Sequence, residues 1–322
     1  MFNPKAYAKR SDQVVENYEA RKKWREENQY LALPFFVKEL RGQIPDIYPG
    51  ELGLIGAASG DGKTNIMGVW HAQVQAALEE SKRRAVTVFG SQEETTERLA
   101  AADIEKRGAL QASSRPTVWI GTSFGMNAED MGDLHMTNFI NTVTYTRDNA
   151  FAEKMPIASI FYDYLQATPN DPTRRDQISE GLYRLQQNDN TRRLFKSANT
   201  FQCPVVTASQ TGIKKLNTPY NSAMLIPGRG DYAEASGIYQ IPDFVYSFWM
   251  PRNTYSVGHF VEVDNWSFNV EKNLIFMWFL KARGHNPDTA KGISKVFPLR
   301  IVDDEYVYDV DYHKSMIAKK KD

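Results

Sequence analysis

Lys63 and Thr64 close a run, residues 57–64, that reads Ala-Ala-Ser-Gly-Asp-Gly-Lys-Thr. An apolar stretch, 52–55, precedes it, and a stretch of helical composition, 65 to about 78, follows. Strand, glycine-rich turn and helix in that order make a phosphate-binding loop. Its backbone N–H groups close around the β- and γ-phosphates, and the helix N-terminus adds positive potential. Ala58, Ser59, Gly60, Asp61, Gly62, Lys63, Thr64 and Asn65 are the expected nucleotide contacts. Lys63 would reach the phosphates and the Thr64 hydroxyl would ligate Mg²⁺. The usual pattern opens on glycine; here Ala57 holds that place, with Gly56 just before it. The implied ligand is a nucleoside triphosphate, taken as ATP, with Mg²⁺.

Three further strand-like runs end in residues suited to the same chemistry. Run 85–89 leads into Gly90-Ser91-Gln92-Glu93-Glu94. A carboxylate there, on the strand adjacent to the phosphate loop, can polarise the water that attacks the γ-phosphate. Run 157–162 leads into Asp163-Tyr164-Leu165-Gln166, and Asp163 can hold Mg²⁺ from the side opposite Thr64. Run 204–208 leads into Ser209-Gln210, where the Gln210 amide can sense the γ-phosphate. Ligands of open α/β sheets bind outside the carboxyl ends of the strands, where all three motifs lie.

The elements that must position these residues alternate along the chain. Strands are expected at 85–89, 116–120, 157–164, 204–208, 244–250, 274–280 and 295–302, with helices over 95–107 and about 128–149 and a long helical region after 164. Short apolar runs separated by helices predict an α/β fold with a mostly parallel central sheet covered on both faces. The later strands have few helices between them and predict an antiparallel or mixed extension. Residues 1–30 read as a charged helical arm with a thin apolar stripe (Val14, Val15, Tyr18), 31–310 as the main domain and 311–322 as a basic tail.

Composition excludes several classes. The chain has 322 residues, with 39 basic and 39 acidic side chains that cancel, so any nucleic-acid contact must come from a local patch. The single cysteine, Cys203, rules out a disulfide framework and a cysteine-cluster zinc site, and its apolar setting predicts a small buried hydrophobe. The five histidines lack ligand spacing. No apolar run approaches the roughly 18 residues of a membrane span, and the N-terminus lacks an apolar signal core, so a soluble cytoplasmic protein is expected.

Taken in order, these motifs resemble the DnaB-type replicative helicases. Residues 157–166, Ile-Ala-Ser-Ile-Phe-Tyr-Asp-Tyr-Leu-Gln, look like their Walker B segment. Residues 90–99 resemble the segment with their catalytic glutamate, which falls on Glu93; 203–210 resemble their Pro-Val-x-Ala-x-Ser-Gln strand. Gln177-Ile178-Ser179-Glu180 resembles the opening of their next helix. Residues 231–243, Asp-Tyr-Ala-Glu-Ala-Ser-Gly-Ile-Tyr-Gln-Ile-Pro-Asp, match their central-channel loop without a gap. Lys281-Ala282-Arg283 resembles the Lys-x-Arg pair that reaches the neighbouring subunit's ATP site. The resemblance covers about residues 31–302 and implies a RecA-like P-loop ATPase motor domain.

It also implies a homo-oligomer, a hexameric ring moving on single-stranded DNA, with a primase or a loader protein as a partner. An arginine on a late strand, Arg283, has no task in its own chain's site, which fits a trans arginine finger beside Lys281. Arg174 and Arg175, the 212–231 loop with Lys214, Lys215 and Arg229, and Glu234 in the channel loop are the candidate nucleic-acid residues. The chain departs from the family in four places. The arm 1–30 stands where the family has a primase-recruiting domain, which suggests a phage or plasmid protein. Ala233 stands in place of the basic channel residue, Ala102 in place of the base-stacking arginine, and 179–204 is longer. Three other readings stay open: an ATPase that loads or remodels a protein, a filament-forming recombination ATPase, and a non-catalytic nucleotide-binding scaffold.

Overall fold

The computed structural model describes residues 15–16, 19–20, 22–23, 26–27, 31–107, 117–122, 136–150, 155–163, 165, 180–211, 236–263, 266–283 and 296–318. The strands are β1 (Leu52–Ala57), β2 (Val86–Thr95), β3 (Thr117–Thr122), β4 (Ile157–Asp163), β5 (Val205–Gln210) and β6 (Phe244–Trp249). They continue with β7 (Phe260–Val263), β8 (Trp266–Asn269), β9 (Leu274–Ala282), β10 (Val296–Val302) and β11 (Glu305–Tyr308). The α-helices are α1 (Lys63–Glu80), α2 (Thr96–Arg107), α3 (Met136–Tyr145), α4 (Glu180–Phe201), α5 (Ser236–Gln240) and α6 (Val310–Ala318).

One nine-stranded sheet runs β11-β10-β9-β6-β1-β5-β4-β2-β3, and β7 pairs with β8 apart from it. The six strands from β6 to β3 are mutually parallel. The last three, β9, β10 and β11, add antiparallel to one edge. This is the α/β fold with the mixed extension that the sequence predicts. One expectation is corrected. The strand carrying Glu93 is not adjacent to the phosphate-loop strand, because β5 and β4 stand between β1 and β2. The chain crosses outward to β2 and β3 and then fills the gap from outside in, a choice made by long-range pairing rather than by local composition.

Alternation along the buried strands sorts the core into two faces. Ile55, Phe161 and Tyr246 belong to one cluster with Phe35, Phe36, Trp70 and Phe89. Leu54, Ile160 and Val245 belong to the other, with Phe139, Leu194 and Cys203. On the first face Trp70 of α1 lies edge-on to Phe35 at 5.5 Å and to Tyr246 at 5.9 Å. Such pairs add about 0.5–1.5 kcal/mol each beyond area burial. The Trp70 indole also donates to the Pro34 carbonyl at 2.7 Å, which pins the segment before β1 over the helix bearing Lys63. A third cluster joins Trp249, Val261, Phe268, Phe276, Trp278 and Met316, so the β7–β8 hairpin and α6 cover the antiparallel edge. Helix α6 occupies most of the segment read as a basic tail.

Cys203 is fully buried beside β5, and burial pushes its thiol up, as expected of a small core hydrophobe. In the arm the described residues are helical and exposed, with Lys23 and Glu27 paired at 3.8 Å.

Candidate nucleotide site and its distal cation pair

The phosphate loop is built as expected. Gly60 and Gly62 have φ of +84° and +78°, the left-handed region that glycine tolerates. A Cβ at Gly62 would also fall 2.6 Å from the Met250 methyl, so backbone shape and space both demand glycine. Helix α1 begins at Lys63 directly after Gly62, leaving its first N–H groups for a ligand. The Lys63 ammonium donates to the Ala58 carbonyl at 2.9 Å and to the Ala57 carbonyl at 3.3 Å, inside the loop.

The strand ends bring the other candidates to the loop. Ala57 at the end of β1 pairs with Gln210 at the end of β5, and the Thr211 N–H donates to the Ala57 carbonyl at 3.0 Å. Asp163, the last residue of β4, is buried, and the Thr64 hydroxyl donates to its Oδ2 at 2.5 Å. A hydroxyl and a carboxylate in contact beside a phosphate loop fit Mg²⁺, which takes one or two protein oxygens and completes its shell with phosphate and water. Thr64 and Asp163 would hold that ion.

The Glu93 segment is placed by an irregularity in β2. Ser91 pairs with Asp163 of β4, and Glu93 follows two residues later in the same strand. On the other side Gly90 pairs with Ile120 and Thr95 with Thr122, so β2 runs from Ser91 through Glu94 while β3 advances only across Gly121. A Cβ at Gly121 would fall 2.5 Å from the Glu94 carbonyl, so glycine lets β3 approach this bulge. Glu94 is held by Arg98 at 3.1 Å, one turn into α2. That engagement supports the register in which Glu93, not Glu94, is the catalytic carboxylate.

Sequence reading missed a brace on the loop from beyond β6. The Asn253 amide donates to the Gly60 carbonyl at 2.9 Å and to Asp61 Oδ1 at 2.8 Å. The Asn65 amide donates to the Tyr306 hydroxyl at 2.8 Å. Neither Asn253 nor Tyr306 carries a local signal, since each is recognisable only once β6 and the β10–β11 hairpin flank β1. Burial raises the Asp61 carboxyl, against the opposing hydrogen bonds from Asn253 and the Met250 backbone and the charges of Lys63 and Arg252. A carboxyl raised in the fold holds its proton more tightly than in the unfolded chain. Stability then falls as pH rises from the ordinary carboxylate range through the raised value. Asp61→Asn, which keeps an acceptor for Asn253, should melt higher than the native chain at pH 7, with the gain shrinking as pH falls below about 4. Equal melting temperatures at pH 7 would refute this account of Asp61.

Lys281 and Arg283 lie at the opposite end of the sheet. Gly53 pairs with Phe244, which pairs with Ala282, whereas the loop begins after Ala57. From Gly53 to Ala57 is about 13 Å of strand, so neither cation serves its own chain's loop. Arg283 donates through Nη2 to the Gln240 carbonyl at 2.5 Å and approaches Asp243 Oδ1 at 3.8 Å, with its side chain half exposed. Asp243 in turn accepts the Leu52 N–H at 3.0 Å, tying this corner to the start of β1. Lys281 donates to three carbonyls, of Tyr239 at 3.0 Å and of Gln240 and Pro242 at 2.6 Å each. The resemblance assigns Lys281 a neighbour's phosphate; in this chain its ammonium holds backbone. Arg174, Arg175, Lys214, Lys215, Arg229 and Glu234 lie outside the described residues, as does Ala233.

No family model and no curated protein matches the chain. Solved structures do. The ATPase domain of one DnaB-like helicase aligns with a TM-score of 0.59 at 14% identity, covering 90% of this chain and 97% of that one. The chain has a RecA-like helicase-ATPase fold. A DnaB-like replicative helicase, solved for its interactions with primase, aligns with a TM-score of 0.57 at 15% identity over 86% of this chain. This chain spans 62% of that protein's length. Fold likeness and motif resemblance therefore point to the same group. Among the described residues no helix is long and apolar enough to cross a membrane.

Proposed function

We propose that the chain is an ATP hydrolase that assembles as a ring, a hexamer, and moves on single-stranded DNA in replication, in the cytoplasm of a host cell. The observation that carries this reading is the division of the site. Loop, Asp163 and Gln210 gather at one end of the sheet, while Arg283, an arginine with half its side chain in solvent, stands at the other. A head-to-tail contact between copies would bring the two ends together, and such contacts close into rings.

In that arrangement the α1 N-terminus and Lys63 bind the β- and γ-phosphates, and Thr64 with Asp163 holds the metal. Mg²⁺ supplies charge neutralisation along the phosphates when bound. Glu93 accepts a proton from the attacking water, Gln210 hydrogen-bonds a γ-phosphate oxygen, and the neighbour's Arg283 stabilises the charge that spreads over the transferring group. Arg174, Arg175, Lys214, Lys215, Arg229 and Glu234 would face the channel. Six modest patches can grip phosphates although the chain is neutral overall, with an affinity that falls steeply with salt. A primase or loader protein is the proposed partner of the assembled ring.

Measuring ATP hydrolysis with and without single-stranded DNA, alongside images of the particle with ATP, tests the reading. Strong stimulation and a closed ring are expected. A closed particle indifferent to DNA would turn the assignment to an ATPase that loads or remodels a protein, the reading that Ala233 favours. An open helical assembly would point to a filament-forming recombination ATPase.

A further inference from the structure

Lys281 connects two elements to which the proposed function gives separate tasks. It stands on β9, two residues before Arg283, and its ammonium reaches across to the stem that follows α5. An ammonium has three hydrogens, and the Tyr239, Gln240 and Pro242 carbonyls provide an acceptor for each. The same stem is tied to β9 twice more, by Arg283 on the Gln240 carbonyl and by the Tyr239 hydroxyl on the Leu280 carbonyl at 3.1 Å. The Lys281 charge also lies 5.5 Å from the centre of the Tyr239 ring. Carbonyls at a helix C-terminus lack intrahelical partners, so a side chain that takes three of them in this turn fixes its shape.

We propose that Lys281 is a latch between the trans arginine and the channel loop, a positioning residue that makes the 239–242 stem and Arg283 move as one body. It rests on the reading of Arg283 as a finger and of 231–243 as the loop that faces DNA. Phosphate contact by Arg283 in the neighbouring site would then shift the loop of its own subunit, and pull on the loop would reset the finger. Reaching a phosphate itself would cost Lys281 its carbonyl contacts.

The charged groups around the ammonium are Arg283 and Asp243, with the Tyr239 phenol beside them. Burial and then Arg283 lower it to about 8, against the Asp243 carboxylate. A neutral amine has one hydrogen fewer and turns a lone pair toward carbonyl oxygens, so the latch should weaken above about pH 8. Arginine at this position stays charged.

Amide hydrogen exchange across 236–243 in the full chain, with and without a non-hydrolysable ATP analogue and corrected for intrinsic rates, reads the latch without DNA. In the native chain the analogue should change exchange in this stem at pH 7 and lose that effect by pH 9. Lys281→Met should lose it at both, and Lys281→Arg should keep it at both. In hydrolysis assays with poly-deoxythymidine, the ratio of rates with and without DNA should fall to about one in Lys281→Met. Arg283→Ala should instead lose hydrolysis in both conditions. A Lys281→Met chain with the native response to the analogue overturns the latch, and so does one that copies Arg283→Ala in every assay. Should Lys281→Met fail to fold, the pH series of the native chain against Lys281→Arg decides alone. A stem that responds to nucleotide in a chain indifferent to DNA upholds the latch and removes the channel reading; a native stem that never responds removes the latch.

Discussion

Arg283→Ala should bind ATP as the native chain does and hydrolyse it about 10³–10⁵ times more slowly, the usual worth of an arginine finger. The side chain lies at the far end of the sheet from its own phosphate loop, so removing it leaves the local nucleotide contacts in place. The decisive form of the experiment mixes Arg283→Ala with Glu93→Gln. Alone, the second variant should lose about two or more orders of magnitude, as befits a positioned base. In a mixed assembly some interfaces pair an intact Glu93 with a neighbour's intact Arg283, and those should regain hydrolysis. If the two variants co-assemble and mixing restores nothing, Arg283 does not act in trans and the ring loses its main support.

Lys63→Ala should abolish turnover and leave the melting temperature of the nucleotide-free chain nearly unchanged. The ammonium donates to the Ala57 and Ala58 carbonyls of its own loop, and the apolar core on that face is carried by Trp70, Phe35 and Tyr246. Charge stabilisation of transferring phosphate is therefore what the variant removes. Native-rate hydrolysis by Lys63→Ala would sink the assignment of residues 57–64 as the phosphate loop.

What the sequence disclosed about this site was local. Gly60, Gly62, Lys63 and Thr64 are legible because a positive-φ turn and a helix start leave a fixed signature within eight positions. Asp163 and Gln210 are legible because each ends a short apolar run that only a buried strand would need. What escaped depends on pairing over long separations. The insertion of β5 and β4 between β1 and β2 is set by crossovers, and no composition near Glu93 encodes it. Asn253 and Tyr306 reach the loop from strands that follow it by about two hundred residues of chain, and an asparagine after a proline-arginine pair looks like any turn. The β7–β8 hairpin was missed for a different reason. Its strands are short and alternate apolar with polar positions, a pattern visible in Phe260 to Asn269 but outweighed by longer apolar runs on either side. Lys281 shows the limit of motif transfer: the spacing to Arg283 matches the family's pair, yet only coordinates reveal that its hydrogens go to backbone.

The sealed environment of Cys203 has a practical side. A thiol with no solvent access and a raised ionisation threshold is silent toward maleimides while the chain stays folded. The native protein is thus a ready background for site-directed labelling, with no wild-type residue to remove first. A cysteine introduced at Val257, whose side chain is well exposed, would be the sole reactive handle on each copy. Spin or fluorescent probes attached there would report copy-to-copy spacings directly. A closed cycle yields a short, fixed set of such spacings, whereas an open helix yields a series that lengthens with each added copy.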